Sequence, residues 1–249
     1  MLLVVGIMHE RRFSTGLFLD YHGGISLGQI VHLCGPAGSG KTILASHLAL
    51  KFLEEFHGSK VIFFDADKTL NKHDLESLCR SNNIGLGVLG RFKITIPTNW
   101  IDILQTIDHE IHEGGMESLI IVDSLPNIFA GEQYELLDRA VSERERISAF
   151  VKGLVDFFIR LRKWIEQNST LLLIIVNQVR SIPPSSEYPE FWLRKGYTPA
   201  YWNIINVFID TCILLEKIRR GLISLRVVFS SDVPEVLGII RIEDNLKIG

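Results

Sequence analysis

Eight residues constrain this chain more than any others: Gly35, Pro36, Ala37, Gly38, Ser39, Gly40, Lys41 and Thr42 spell G-x-x-x-x-G-K-[ST]. Upstream, Gln29 to Cys34 is an apolar, strand-like run. Downstream, Ile43 to Phe56 places apolar residues at helical spacing and turns Glu54 and Glu55 outward. A strand, a glycine loop and a helix start, in that order, are the context that makes the pattern a phosphate-binding loop. The glycines let backbone N–H groups approach phosphate oxygens, and the helix N-terminus adds partial positive charge. Lys41 is then the residue that reaches the β- and γ-phosphates of a nucleoside triphosphate such as ATP, and the Thr42 hydroxyl is a ligand for its Mg²⁺.

Composition sets the outer limits. With 249 residues, 47% hydrophobic and 22% charged, the chain reads as one domain over 1–249, with neither disorder nor a second module expected. Its longest apolar runs, Met1 to Ile7 and Leu171 to Val176, fall far short of the ~20 residues of a membrane span, so no membrane is expected. Met1 to Ile7 also lacks the basic region and small-residue cleavage site of a signal peptide. Cys34, Cys79 and Cys212 are scattered and mostly inside apolar runs, which reads as buried reduced thiols of an intracellular protein without metal spacing. The histidines show no ligand spacing either. A net charge of −3 argues against a strong grip on nucleic acid by bulk charge, and leaves local basic loops open.

The pattern along the chain alternates. Met1 to Ile7 reads as a short strand, and 1–12 as a strand and linker. Strands follow at Lys60 to Phe64, Phe92 to Ile96, Ser118 to Val122 and Thr170 to Val176. Helices fall between them at Asn71 to Cys79, Trp100 to His112 and Arg146 to Gln167. A polar, Pro-rich loop is expected over Arg180 to Pro199. Three β-type runs with short turns come last: Phe208 to Glu216, Ile223 to Phe229 and Leu237 to Ile242. The expected fold is α/β: a mostly parallel twisted sheet with helices on both faces and a C-terminal antiparallel strand extension.

In such sheets ligands sit at the carboxyl ends of the strands, and three strand ends carry polar residues. Asp123 follows Ser-Leu-Ile-Ile-Val, where an acid orders Mg²⁺ through water opposite Thr42. Asp67, just past Val-Ile-Phe-Phe, is placed to orient or deprotonate an attacking water. Gln178 is placed to hydrogen-bond a γ-phosphate and shift with its presence. The bland readings are a turn or cap for each acid and a plain loop residue for Gln178.

These pieces carry a resemblance. Phe13-Ser-Thr-Gly16, a Gly-Gly turn, the phosphate loop, Phe64-Asp65-Ala66-Asp67, Leu119-Ile-Ile-Val-Asp123-Ser124 and Val176-Asn177-Gln178-Val179 follow in the order of the RecA-type recombinases. Over nearly its whole length the chain most resembles the archaeal and eukaryotic strand-exchange proteins and their paralogues. The resemblance implies a RecA-like ATPase core and catalytic roles for Lys41, Asp67 and Gln178. There are departures. Asp67 stands where the recombinases carry a catalytic glutamate, so slow hydrolysis is expected. Phe229 and Ser231 replace the usual Asp and Pro of the stretch that caps a neighbour's nucleotide. The second DNA loop has Tyr201-Trp202 where paired glycines are usual, and the family's N-terminal helical domain has no counterpart here. This is the paralogue pattern.

It implies an accessory factor of homologous recombination, partnered by another paralogue or small accessory protein, by a recombinase filament and by single-stranded DNA. The location implied is nuclear, or cytoplasmic in a prokaryote. DNA contact is expected from a first loop between Ala130 and Ile147, with Arg139, Arg144 and Arg146. A second lies between Arg180 and Pro199, with Arg180, Arg194 and Lys195 among Tyr188, Phe191, Trp192 and Tyr197. Against this, Glu143, Glu145, Glu187 and Glu190 dilute both loops, and the aromatic segment also suits a protein-binding surface. Met1 to Ile7 is suited to β-augmentation of a neighbour's sheet or to an edge of its own. The competing classes are a free-standing P-loop ATPase or small-molecule kinase, an archaeal recombinase-like or clock-type ATPase, and a scaffold with a vestigial site.

Overall fold

The computed structural model describes residues 11–112, 117–130, 142–182, 187–231, 235–242 and 248. Met1 to Ile7, and Arg139 with the rest of 131–141 in the first expected DNA loop, lie outside these residues. The main sheet is built from β3 (Gln29–Gly35), β4 (Lys60–Asp65), β5 (Phe92–Thr95), β6 (Ser118–Asp123), β7 (Leu171–Ser181), β8 (Tyr197–Pro199), β9 (Thr211–Arg219), β10 (Leu222–Ser230) and β11 (Leu237–Arg241). Its order is β11-β10-β9-β3-β7-β6-β4-β5, with β8 paired to the far end of β7. From β9 across to β5 the neighbours run parallel, whereas β8, β10 and β11 pair antiparallel. The parallel sheet with an antiparallel C-terminal extension is therefore as expected.

Alternation along each central strand explains the layers. Val31, Leu33, Val61, Phe63, Leu172 and Ile174 face one side, where α1 (Lys41–Glu55) and α2 (Lys72–Ser81) cover them. Ile30, Ile62, Phe64, Leu173 and Ile175 face the other, beneath α3 (Trp100–His112), α4 (125–130) and α5 (Glu143–Gln167). A strand buried on both faces needs apolar residues at consecutive positions, which is why these strands read as near-continuous hydrophobic runs. Arg162 of α5 reaches Asp210 at 2.6 Å, and Asp210 also accepts the Ile30 amide at 2.8 Å, so one ion pair ties α5 to the start of β3.

Several boundaries differ from expectation by three residues or more. Helix α5 begins at Glu143 because Ser142 and Glu145 form a reciprocal capping box, a signature that precedes the apolar periodicity. Strand β7 runs five residues beyond Val176, because β8 returns to pair with Val179, Arg180 and Ser181. The expected loop from Arg180 to Pro199 accordingly holds a strand end, the short helix α6 (Glu190–Lys195) and β8. Past it lies α7 (Trp202–Ile205). β9 starts at Thr211, later than Phe208, which lies in a 3₁₀ turn.

The Phe13-Ser-Thr-Gly16 stretch has a structural explanation. β1 (Arg12–Phe13) pairs with β2 (Ile25–Ser26), and the intervening loop wraps the Asp20 carboxylate. Thr15 N and Oγ1 donate to Oδ1 at 2.7 and 2.8 Å, while Ser14 Oγ and Gly16 N donate to Oδ2 at 2.6 and 2.9 Å. His47 of α1 anchors the loop through a 3.0 Å hydrogen bond from Nε2 to Thr15 O. Burial holds the His47 imidazole down at about 4, with the nearby Lys51 adding to the effect against the Thr15 bond. A base whose folded pKa lies below its unfolded 6.5 contributes stability that is intact above 6.5 and lost as pH falls toward 4. We expect this to cost roughly 3 kcal/mol between pH 7 and pH 4. His47→Gln should flatten the corresponding slope in urea-denaturation midpoints measured across that range.

Candidate nucleotide-binding site

β3 ends at Gly35, and α1 begins at Lys41 with Gly40 as its N-cap in the left-handed region, at φ +86°. No side chain caps this helix and its first turn holds no acid, so its N–H groups and positive end are left for an anion. A Cβ added at Gly38 would meet nothing within 4 Å, which marks the open side of the loop. At Gly40 it would come within 2.6 Å of Ile223 Cδ1, and at Gly35 within 2.2 Å of the Leu215 carbonyl oxygen. Lys41 is buried, and its ammonium donates to the Gly35 and Pro36 carbonyl oxygens at 2.9 and 2.8 Å. Burial lowers its pKa, against the pull of Asp123 and Asp67.

The acids converge from adjacent strands. Asp123, at the end of β6, accepts the Thr42 hydroxyl at 2.6 Å. Burial raises its pKa to about 6; the Thr42 bond and Lys41 work against this, and Asp67 and Asp65 add to it. Asp65 Oδ2 accepts the Leu70 amide at 2.8 Å, which fixes the turn carrying Asp67. Asp67 in turn is held by Ser124, 3.3 Å away, and by a hydrogen bond from Asn127 of α4. Asn127 has no signal in the sequence, because its role depends on α4 folding back across the β4 turn.

Gln178 is the register partner of Gly35 on β7. Gly38, Lys41, Thr42, Asp67, Asp123 and Gln178 all line one cavity of about 570 Å³, in which Thr69, Ser124 and Asp74 of α2 add polar groups that the sequence did not flag. The set fits a nucleotide and Mg²⁺: an uncapped helix end, a lysine, and hard oxygen donors in Thr42 and Asp123.

No family model matches the chain. It is 30% identical over 175 residues to a protein of Arabidopsis thaliana named DNA repair protein recA homolog 3, mitochondrial, covering 68% of this chain and 37% of that one. It is 30% identical to Protein RecA of Mycoplasma pneumoniae over 68% of this chain and 47% of that protein. It is also 26% identical to DNA repair protein RAD51 homolog 2 of Arabidopsis thaliana, over 64% and 44%. These likenesses support the RecA-type recombinase superfamily. The chain spans less than half the length of each of these relatives. The mixed α/β architecture with its mostly parallel sheet agrees with a RecA-like core.

The basic residues of this RecA-like core are dispersed. Arg144 is exposed on the first turn of α5, with Arg146 half-buried beside it. Arg180 is exposed at the end of β7, its guanidinium 5.9 Å from the Tyr201 ring centroid. Arg194 pairs with Glu190 at 2.8 Å. Lys195 is turned onto β9, where Glu216 holds it at 2.6 Å and also accepts the Tyr197 hydroxyl. The aromatics expected to offer stacking faces pack inward instead. Trp192 is fully buried, and Tyr188, Phe191 and Tyr197 pack around it in a third core cluster with Trp202. Phe229 also joins Trp202, at 5.8 Å. Among the described residues of the second segment, Arg180, Glu187, Glu190, Leu193 and Arg194 are exposed, so its outer surface carries both signs of charge.

Two outcomes are expected. Gly35→Ala drives a methyl into the Leu215 carbonyl and should destabilise the fold by about 2 kcal/mol or more in denaturant titration. An acid whose folded pKa is raised from 3.8 to about 6 loses stability as pH climbs through that interval. Asp123→Asn should therefore be more stable than the parent by roughly 2–3 kcal/mol at pH 8 in a chelator, with the gap closing by pH 4.

Proposed function

We propose that this chain is an ATP-binding recombinase paralogue, an accessory factor of homologous recombination and DNA repair working in a heteromeric complex. The observation that carries the reading is the convergence of Lys41, Thr42, Asp67, Asp123 and Gln178 on one cavity whose β7 wall continues into the segment 180–199. The similarity to proteins named for RecA, RAD51 and DNA repair supports it. Bound MgATP supplies phosphate charge and a divalent cation. Toward it, the loop N–H groups and Lys41 bind the phosphates, Lys41 leaving the Gly35 and Pro36 carbonyls that hold it. Thr42 and Asp123 would hold the metal, Asp123 through water.

Asp67 orients the attacking water from its seat against Ser124 and Asn127. Its short side chain makes turnover slow, so ATP acts chiefly as a conformational ligand. Gln178 reads the γ-phosphate. Its carbonyl takes the Ala200 amide at 2.8 Å and β8 pairs with the residues after it, so a shift at Gln178 is carried to Arg180. Arg144, Arg146, Arg180, Arg194 and Lys195 contact the phosphates of single-stranded DNA, Lys195 once released from Glu216. The partners are another paralogue or small accessory protein and a recombinase filament. The setting is the nucleus, or the cytoplasm of a prokaryote.

The test is purification of the tagged chain from its own cells, with mass spectrometry and an ATPase assay of the eluate. Co-purification of a RecA-type recombinase or paralogue with weak turnover is expected. Lys41→Ala should weaken ATP binding by about tenfold or more, since a charge-assisted contact is lost. Brisk phosphoryl transfer to a small molecule, with no recombination partner, would replace this reading with a kinase.

A further inference from the structure

Three donors far apart in the sequence meet behind the phosphate loop. His32 and Cys34 share a face of β3, and Cys212 is the register partner of His32 on β9. Their donor atoms, His32 Nδ1 and the two Sγ, all lie within 4.8 Å of one another, and all three residues are fully buried. Cys212 Sγ is 3.9 Å from Cys34 Sγ and 3.5 Å from His32 Nδ1. A tetrahedral centre with Zn–S near 2.3 Å and Zn–N near 2.0–2.1 Å has S···S edges of about 3.8 Å and S···N edges of about 3.6 Å. These two edges fit around one ion, and the third, from Cys34 Sγ to the His32 ring nitrogen, lies within 4.8 Å. A disulfide needs its sulfurs about 2.0 Å apart, far closer than these are.

We propose that His32, Cys34 and Cys212 bind a thiophilic divalent cation of the zinc class, which staples β3 to β9 beneath the first glycine of the phosphate loop. The chemistry of the pocket selects the ion. Thiolate and imidazole exclude Mg²⁺ and Ca²⁺, which take oxygen ligands. Two thiolates and a neutral imidazole cancel a double positive charge, so the loaded site is neutral, as a core closed by Trp192 and Trp202 requires. Loading releases the two thiol protons to solvent and involves no change of oxidation state.

Two further polar atoms at this level of the sheet are buried without partners. His32 Nε2 remains available as a donor once Nδ1 is on the metal. Asn177, the register partner of Cys34 on β7, has an unpartnered Oδ1 and is the oxygen donor we assign to the fourth corner. The consequence is mechanical. Cys34 leads directly into Gly35, and the Leu215 carbonyl of β9 abuts that glycine, so the ion would clamp the two strands whose contact shapes the loop.

The test is metal content of the full chain expressed with zinc supplementation, purified under reducing conditions and dialysed into metal-free buffer. Cobalt-loaded protein is examined in parallel for thiolate-to-Co²⁺ charge-transfer absorption. We expect about one zinc per chain, and a loss of about tenfold or more in affinity in Cys212→Ala and Cys34→Ala, while Cys79→Ala keeps the metal. Protein that folds without metal and gives no charge-transfer band overturns the proposal even if every variant fails to fold. So does zinc retained equally by Cys212→Ala, or a metal-free chain whose mass shows Cys34 joined to Cys212.

Discussion

The phosphate loop keeps its shape because β3 leaves the centre of the sheet with no side chain at Gly35. Flanked by β7 and β9, that residue sits close enough to β9 that any Cβ would strike the Leu215 carbonyl. The chain is therefore held flat at the point where it turns into the loop. α1 starts in line with the cavity for the same reason, and its uncapped first turn faces the groups that β4, β6 and β7 bring to their carboxyl ends. A parallel sheet produces this arrangement generally, since all its strands deliver their last residues to one edge.

Electrostatics at that edge oppose folding and favour binding. Asp65, Asp67 and Asp123 cluster there around one buried lysine. Each acid has a tether: the Leu70 amide for Asp65, Ser124 and Asn127 for Asp67, and the Thr42 hydroxyl for Asp123. The tethers hold the carboxylates in place without neutralising them. A buried carboxylate with a raised pKa is a stability cost that a divalent cation would relieve, the usual sign of a site kept for ligand binding rather than packing.

The segment 180–199 shows how a surface reading changes once a core exists. Basic and aromatic residues interleave there as they do in strand-binding loops, yet the same alternation serves a short amphipathic helix lying on a sheet. α6 puts Trp192 into the cluster with Trp202, Cys34 and Leu214, and leaves Arg194 outside. Arg180 and Gln178 then share one strand, joined by backbone hydrogen bonds rather than by a free loop. The same inward packing closes the pocket holding His32, Cys34 and Cys212.

Much of the fold was legible in the chain itself. The glycine loop, the apolar runs of β3 (interrupted by His32), β4, β6 and β7, and the periodicity of α1 and α3 are local patterns, set by backbone conformation and by which faces must be dry. The acids at strand ends were legible for the same reason, as polar residues closing apolar runs. What the sequence could not express are contacts between segments far apart in the chain. Asn127 meets Asp67, Ile223 presses on Gly40, Lys195 folds onto Glu216, and Cys212 comes beside Cys34 and His32. Each depends on strand order and register, which nothing in a residue's own neighbourhood specifies. The sequence by itself determined a phosphate loop in an α/β frame, and only the tertiary structure decided which distant side chains surround it.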